Sequence, residues 1–216
     1  MSSFAREQVL SSIRRARDVA APAKPVAERM AQRRRGPLPR ITGNPHAVFS
    51  DHLRVAGCSV ANASSPVQLA IEVHRWLEQE QAVMQLTSAA GTLLDRVPWG
   101  VELEISHYEK GSVSSSVVCE GYSGVAETGS LVLLSSPSSP TPLNFLPDRF
   151  IGVLQQDRVV EHIEDAWDLV RREHDSMPRA LNLITGPSRT ADVEQTIQIG
   201  AHGPRQVHVI LYQEEI

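Results

Sequence analysis

Apolar residues recur every three or four positions in three stretches of the chain, which is the spacing of an amphipathic helix. These stretches are residues 3–20, 66–77 and 163–170. A fourth helix is predicted over 46–56. Ser65 precedes the second stretch and is expected to cap it, because a serine hydroxyl can accept hydrogen bonds from the free N–H groups of a first helical turn.

Shorter apolar runs predict β-strands. The predicted strands are 82–86, 101–105, 131–134, 150–154, 181–184 and 207–212. In 101–105 the apolar residues alternate with glutamates, as in a strand exposed on one face, whereas 131–134 is apolar throughout, as in a strand covered on both faces. Since strands alternate with helices in the second half of the chain, we predict an α/β fold with a mainly parallel sheet and helices on both faces.

The first forty residues differ from the rest in charge and in proline content. They hold ten Arg and Lys against three Asp and Glu, a net charge of +7, whereas residues 41–216 hold eleven against 22, a net charge of −11. Four prolines interrupt any regular pattern between the first helix and residue 40. We therefore predict a basic N-terminal helix and arm over 1–40 and an α/β domain over 41–216. The arm is expected either to bind an acidic protein, a membrane surface or a nucleic acid, or to fold back on its own domain.

The composition of the chain limits the cellular compartment and the metal chemistry that we expect. The chain has no run of about 18 apolar residues, so no membrane-spanning helix is expected. Charged residues occupy the N-terminal stretch where a signal peptide needs an apolar segment, which predicts a cytoplasmic protein. The two cysteines, Cys58 and Cys119, cannot by themselves form a four-cysteine iron–sulfur or zinc site. We expect neither a metal nor a cofactor in this chain.

One segment combines a glycine turn with hydroxyl and guanidinium side chains. The predicted strand 181–184 leads into Gly186, Ser188, Arg189 and Thr190, and a helix is predicted to follow. Gly186 permits a tight turn, and Ser188 or Thr190 can cap the helix. The free N–H groups of that helix, with Arg189, would attract an anion. The same residues also fit an ordinary capped turn, and the glycine spacing fits neither a Walker loop nor a dinucleotide fingerprint.

A second segment places a carboxylate beside a glycine turn, ahead of an apolar strand. It reads GVAETGSLVLL over 124–134 and contains Glu127, Thr128 and Gly129. Glu127 could act as a base or nucleophile, or it could brace the fold by accepting hydrogen bonds from backbone N–H groups. Thr128 and Gly129 are candidate ligand-binding neighbours in the first case.

A histidine lies in a third segment, GAHGP at 200–204, whose glycines and proline predict a loop. His202 could bind a ligand, act as a general acid or base, or anchor the loop. The sequence contains no HExxH pattern that would indicate a metal site. Residues 121–124 read GYSG, which falls short of a GxSxG nucleophile elbow, so a hydrolase triad is not expected.

Four segments resemble, in their order and spacing, the C-terminal half of the LUD-domain family of the lactate-utilisation protein C type. They are AETG at 126–129, FLPDRFIGVL at 145–154, ITGPSRTADVE at 184–194 and GAHGP at 200–204. Each motif alone is common, but the combination is specific. The resemblance extends over about residues 80–216.

This resemblance implies a three-layer α/β/α fold like that of sugar-phosphate isomerases and CoA transferases. It also implies a role in oxidising L-lactate to pyruvate alongside iron–sulfur partner proteins. Because the chain lacks the cysteines of a cluster-binding sister protein, the resemblance implies a subunit without a cluster. Ser130 stands where the family usually has threonine, a change that keeps the hydroxyl.

Two functions stay open at this point. The first is the non-iron–sulfur component of an L-lactate oxidation system, which binds partner proteins, a second copy or an anionic small molecule. The second is a stand-alone enzyme on a CoA-transferase-like fold, with Glu127 acting on a phosphate- or acyl-bearing substrate. Nucleic-acid binding is not expected, because the domain is acidic. In either case we predict that Glu127, Arg189 and His202 line one pocket at the carboxyl ends of the sheet strands.

Overall fold

The computed structural model describes residues 3–17, 28, 31–32, 35–89, 91–109, 112–193, 196–200 and 202–214. The chain divides into two compact units, Met1–Leu38 and Pro39–Ile216. In the first unit, helix α1 spans Ser3–Arg17, and the last three residues of the predicted helix over 3–20 lie outside the described residues. None of the helices in the described part is long and apolar enough to span a membrane.

The second unit contains four helices and twelve strands among its described residues. The helices are α2 (Pro45–Ala56), α3 (Pro66–Gln79), α4 (Pro142–Phe145) and α5 (Ile163–Glu173). The strands are β1 (Ser59–Ala63), β2 (Gln85–Ser88), β3 (Glu104–His107), β4 (Ser116–Glu120), β5 (Ser123–Val125), β6 (Ser130–Leu134), β7 (Arg149–Gln155), β8 (Val159–Val160), β9 (Leu181–Ile184), β10 (Arg189–Val193), β11 (Thr196–Ile199) and β12 (Gln206–Tyr212).

Six strands form one sheet in the order β1-β12-β7-β4-β2-β3, and every neighbouring pair is parallel. Alternate residues of β12 point to opposite faces of this sheet. Val207 and Val209 belong to the core that contains Phe49 of α2, whereas Ile210 belongs to the core that contains Trp76 of α3. Both faces are therefore covered by helices, which explains the apolar central strands. The predicted α/β fold with a mainly parallel sheet is confirmed.

A second, smaller sheet has the order β8-β5-β6-β9, and β6 runs antiparallel to both of its neighbours. Leu131 and Leu133 of β6 face the core under α2, while Val132 packs with Ala166 of α5 on the other side. The apolar run at 131–134 is thus a strand covered on both faces, as predicted, but it lies outside the parallel sheet.

Two predicted strands are displaced along the chain. The strand expected at 82–86 is β2, which begins at Gln85, and the strand expected at 101–105 is β3, which begins at Glu104. Val101 is fully exposed, whereas Leu103 is buried in an irregular segment before the strand begins. The apolar alternation therefore reflects a loop that contributes one side chain to the core on the α3 side of the sheet.

The segment after Ser188 is a strand, so the prediction of a helix there is wrong. β10 and β11 form an antiparallel hairpin in which Arg189 lies opposite Ile199. The hairpin is rich in β-branched residues, whose side chains fit extended backbone better than a helix. Ser188 and Thr190 consequently do not cap a helix, and the anion site expected there has no helix dipole.

A buried histidine lies on the α3 side of the sheet. His208 of β12 stacks on the Trp76 ring, with 5.0 Å between the ring centroids, and its Nδ1 lies 2.7 Å from the Ser59 hydroxyl oxygen. Burial lowers the pKa of His208 to about 4, so the neutral ring is the form that packs here. The Nε2 atom is also buried and has no hydrogen-bond partner.

We expect His208 to make the stability of the domain depend on pH. The folded pKa of about 4 lies below the ordinary value of 6.5, so the unfolded chain binds the additional proton between these values. Stability is then full above about pH 6.5 and falls by about 3 kcal/mol as the pH drops towards 4. Chemical denaturation at pH 7.5 and pH 4.5 measures the difference, and His208→Gln should flatten it. If the stability of His208→Gln depends on pH as steeply as that of the unaltered protein, His208 is not the group responsible. The control is His107→Gln, which changes an exposed histidine.

Candidate functional site

The carboxyl ends of β7 and β12 open into a cleft of about 750 Å³. Gln155 ends β7 and Tyr212 ends β12, and both line the cleft. Its walls also include His46 from the first turn of α2 and Arg96 from the 3₁₀ turn Leu94–Arg96. The remaining lining is mostly polar and consists of Asn44, Thr92, Leu93, Gln156, Asp157, Gln213 and Glu214. Polar side chains from separate segments therefore converge at the edge where open α/β sheets bind ligands.

Smaller cavities continue the cleft on both sides. One of about 460 Å³ shares Gln155 with it and reaches Glu120 at the end of β4. Another of about 570 Å³ shares Gln213 with it and reaches Ala63 at the end of β1. The run of cavities follows the carboxyl ends of four neighbouring parallel strands, and we call it the carboxyl-edge cleft.

Charged groups near β4 are paired with one another. The Arg158 guanidinium donates to both carboxylate oxygens of Glu173 at 2.7 Å, and the Tyr122 hydroxyl donates to the same carboxylate at 2.8 Å. The hydrogen bond from Arg158 is the main reason why the pKa of Glu173 falls to about 2. Glu120 accepts from the backbone N–H groups of Leu93 and Leu94 at 2.7 and 2.9 Å. These groups fix the wall of the cleft.

Glu127 lies at the N-terminus of α5 instead of in the carboxyl-edge cleft. One carboxylate oxygen accepts from the backbone N–H of Ile163 at 2.9 Å, and the other lies 3.0 Å from Nδ1 of His162. The two side chains are about nine-tenths buried, with 12% and 9% of their surfaces exposed. This is the geometry of a structural brace, one of the two roles that the sequence allowed for Glu127. Glu127 also lines a separate cavity of about 380 Å³ beside Arg40 and His52.

Hydroxyl groups link the AETG and ITGPSR segments. The Thr128 and Ser130 hydroxyl oxygens lie 2.7 Å apart, and the Ser130 and Thr185 oxygens lie 2.6 Å apart. Gly129, at φ +65°, follows Thr128 and rests on α2 so closely that a Cβ there would lie 2.7 Å from the Cβ of His52. Two of the four segments that carry the family resemblance thus meet beside α2.

Arg189 and Gly186 lie at the C-terminus of α2. A guanidinium nitrogen of Arg189 donates to the Ala56 carbonyl at 3.1 Å. A Cβ on Gly186, at φ +99°, would lie 2.8 Å from the same oxygen. Ser188 donates its N–H to the Pro204 carbonyl, which ties the turn to the GAHGP loop. These contacts hold the turn on the helix, and anion binding by Arg189 stays a prediction.

None of the cavities described above is lined by all three predicted pocket residues. The cavity lined by Glu127 includes neither Arg189 nor His202. His202 is exposed in the loop after β11, and the side chain of Thr190 lies outside the described residues. Ligand binding or catalysis by these residues stays a prediction.

Sequence reasoning missed the residues that do converge at the carboxyl-edge cleft. Tyr212 ends a strand that the sequence predicted without assigning it a functional role, Arg96 lies in a short turn, and His46 lies in the first turn of a helix. Their separation along the chain hides their proximity. The strand-end residues could have been found from the rule that side chains at the carboxyl ends of parallel strands gather at one edge of the sheet.

No group of three or more His, Cys, Asp and Glu side chains in the described part of the chain could hold a metal ion. Cys58 and Cys119 are both buried free thiols. Burial raises the pKa of Cys58 to about 11 and that of Cys119 to about 12, so neither is poised as a thiolate.

These features define an open α/β protein with a polar crevice at the carboxyl edge of a parallel sheet. Residues 94–212, more than half of the chain, match the LUD domain family. The chain belongs to the LUD-domain family, which confirms the resemblance drawn from its motifs.

Similar proteins include Lactate utilization protein C of Anoxybacillus flavithermus, which is 34% identical over 80 residues, covering 37% of this chain and 36% of that protein. Lactate utilization protein C of Bacillus velezensis is 27% identical over 119 residues, covering 54% of this chain and 49% of that protein. The matches therefore span a third to a half of the length of these relatives. A solved DUF162 family protein from Deinococcus radiodurans superposes with a TM-score of 0.57 at 20% identity, over 79% of this chain and 99% of that chain. This last likeness concerns the fold alone.

We expect Glu127 to be needed for stability. Glu127→Ala leaves the N–H of Ile163 and the His162 ring without their acceptor in a nearly buried position, and should cost about 2–4 kcal/mol of unfolding free energy. Glu127→Gln keeps one acceptor oxygen and should cost less. Urea denaturation measures both values. The control is Glu161→Ala, whose carboxylate is largely exposed and 3.8 Å from the same histidine. A loss in Glu127→Ala no larger than that of the control would show that the carboxylate is not a brace.

Proposed function

We propose that this chain is a component of a lactate-utilisation system. The supporting observation is membership of the LUD-domain family, together with relatives named Lactate utilization protein C. Both cysteines are buried, so iron–sulfur clusters in such a system would be carried by partner proteins. In this proposal the chain acts in the cytoplasm as the subunit without a cluster, and the carboxyl-edge cleft holds a small-molecule ligand.

The alternative of a stand-alone enzyme that uses Glu127 as base or nucleophile is less well supported. Both carboxylate oxygens are engaged at the start of α5, one with a backbone N–H and one with His162. A nucleophile needs an oxygen that is free to approach its substrate. Glu127 would have to release one of these contacts before it could react.

We expect loss of this chain to impair growth on L-lactate specifically. A deletion strain of the source organism should grow normally on glucose and poorly on L-lactate as sole carbon source, and the wild-type gene should restore growth. The affinity-tagged chain, captured from lactate-grown cells, should bring down proteins that contain iron and acid-labile sulfide. The purified chain alone should not oxidise L-lactate. Unimpaired growth of the deletion strain on L-lactate would contradict the proposed role.

We further propose that residues 1–40 dock on an acidic surface of a partner or of a second copy. The helix α1 presents Val9 and Ile13 with about half of their surfaces exposed, and an isolated helix of this length is marginal in water. The net charge of +7 on residues 1–40 would attract an acidic face and make the binding sensitive to salt.

Deletion of residues 1–40 tests this docking. If the arm binds in trans, the remaining domain should keep its melting temperature while losing its oligomer or its captured partner. Light scattering and capture at low and high salt measure the second effect. A clear drop in melting temperature with assembly unchanged would instead mean that the arm stabilises its own domain.

A further inference from the structure

An ion pair stands at the carboxyl-edge cleft. Nη2 of Arg96 lies 2.5 Å from one carboxylate oxygen of Glu214, and Nη1 lies 3.4 Å from the other. About half of each side chain is exposed, 54% for Arg96 and 51% for Glu214. Pairs this exposed contribute little to stability because water and salt screen them, so the pair can open at little cost.

Two buried polar groups lie in the wall of the same cleft without partners. Tyr212 is 4% exposed, and its hydroxyl makes no well-formed hydrogen bond. Burial and, less strongly, the neighbouring Glu214 carboxylate raise the pKa of this hydroxyl. The Nδ1 atom of His46 is also buried and unpartnered. Polar atoms buried without partners are rare in native proteins, and each needs an explanation. A bound ligand whose oxygen atoms form hydrogen bonds with these groups would be such an explanation.

We propose that the carboxyl-edge cleft binds a small hydroxylated organic carboxylate, whose carboxylate replaces that of Glu214 on Arg96. The guanidinium fork suits a carboxylate because it can donate two parallel hydrogen bonds, and Glu214 already occupies it in this manner. In the ligand complex the Tyr212 hydroxyl and the His46 ring supply the further donors.

The rest of the cleft fits the body of such a ligand. Its volume of about 750 Å³ leaves room for more than a single inorganic ion. Gln155, Gln156 and Gln213 present amides that both donate and accept, and Asp157 presents an acceptor. These groups match ligand hydroxyls better than an apolar chain. The N-terminus of α2, which begins at Pro45 in the same wall, favours the negative end of the ligand.

Substitution of the two members of the ion pair should change affinity in opposite directions. Glu214→Gln removes the competing carboxylate from Arg96 and should tighten carboxylate binding several-fold. Arg96→Gln should weaken it about tenfold or more, the effect of losing a charge-assisted contact. Calorimetric titration of the full chain at low salt, with L-lactate, L-malate and citrate as separate probes, measures these changes, and pyruvate serves as a carboxylate without a hydroxyl. Inorganic phosphate is titrated in parallel as an anion without a hydroxylated organic body.

Two further variants test whether the change in affinity is specific to the cleft. Arg171→Gln removes the same charge from a similarly exposed ion pair on α5, outside the cleft, and should leave affinity unchanged. Tyr212→Phe should weaken binding several-fold while changing the melting temperature little, because it removes only a hydroxyl that makes no well-formed hydrogen bond in the free protein.

The proposal is overturned if no carboxylate probe binds Glu214→Gln, or if Arg96→Gln binds carboxylates as tightly as the unaltered protein. Tighter binding of phosphate than of every carboxylate would overturn the ligand class. The choice of L-lactate among the probes rests on the proposed function, whereas the site itself does not. If no carboxylate binds but the deletion strain still grows poorly on L-lactate, only this site is rejected. If carboxylates bind but the deletion strain grows normally on L-lactate, only the lactate role is rejected.

Discussion

The close packing of helix α2 against both sheets is the interaction on which the rest of the domain depends. Phe49 and Leu53 are fully buried in the core that joins the large parallel sheet to the smaller one. Backbone from two loops approaches the same helix at Gly129 and Gly186, where any side chain would collide with it. A helix held this closely cannot shift without disturbing both sheets, because dense interiors transmit small displacements.

The two ends of α2 serve different purposes. At the C-terminus, Arg189 donates to the Ala56 carbonyl, so a cation meets the negative end of the helix dipole. At the N-terminus, Asn44 caps the helix by accepting from the backbone N–H of His46, and both residues border the carboxyl-edge cleft. Packing along the helix therefore fixes the position of one wall of the cleft. The loops that contact the C-terminus of α2 affect the cleft only by fixing the position of this helix.

The sequence was sufficient for features that depend on local patterns. The helix that begins after Ser65 forms as expected, with the Ser65 hydroxyl accepting from the N–H of Gln68 at 3.2 Å. The segment after Ser188 was misread because a glycine turn followed by hydroxyl residues suits a helix start and a hairpin equally well. Only the pairing of β10 with β11, a tertiary contact between segments, decides between them. Local propensity is weakest where two structures share the same turn chemistry.

The candidate site was harder to predict than the fold, and Glu127 shows why. A carboxylate between small residues looks reactive when only its neighbours in sequence are known. In the folded domain the N–H of Ile163 and the ring of His162, more than thirty residues later, occupy its two oxygens. The segments that make the family recognisable thus serve largely to hold loops and helices together. The cleft is lined instead by residues at and just after the ends of β7 and β12, by the N-terminus of α2 and by the short segment 92–96. Since folds of this kind support many activities, we expect ligand preference to be determined by the segments around 44–46, 92–96, 155–157 and 212–214. The hydrogen bonds of the AETG and ITGPSR segments hold the frame that positions them.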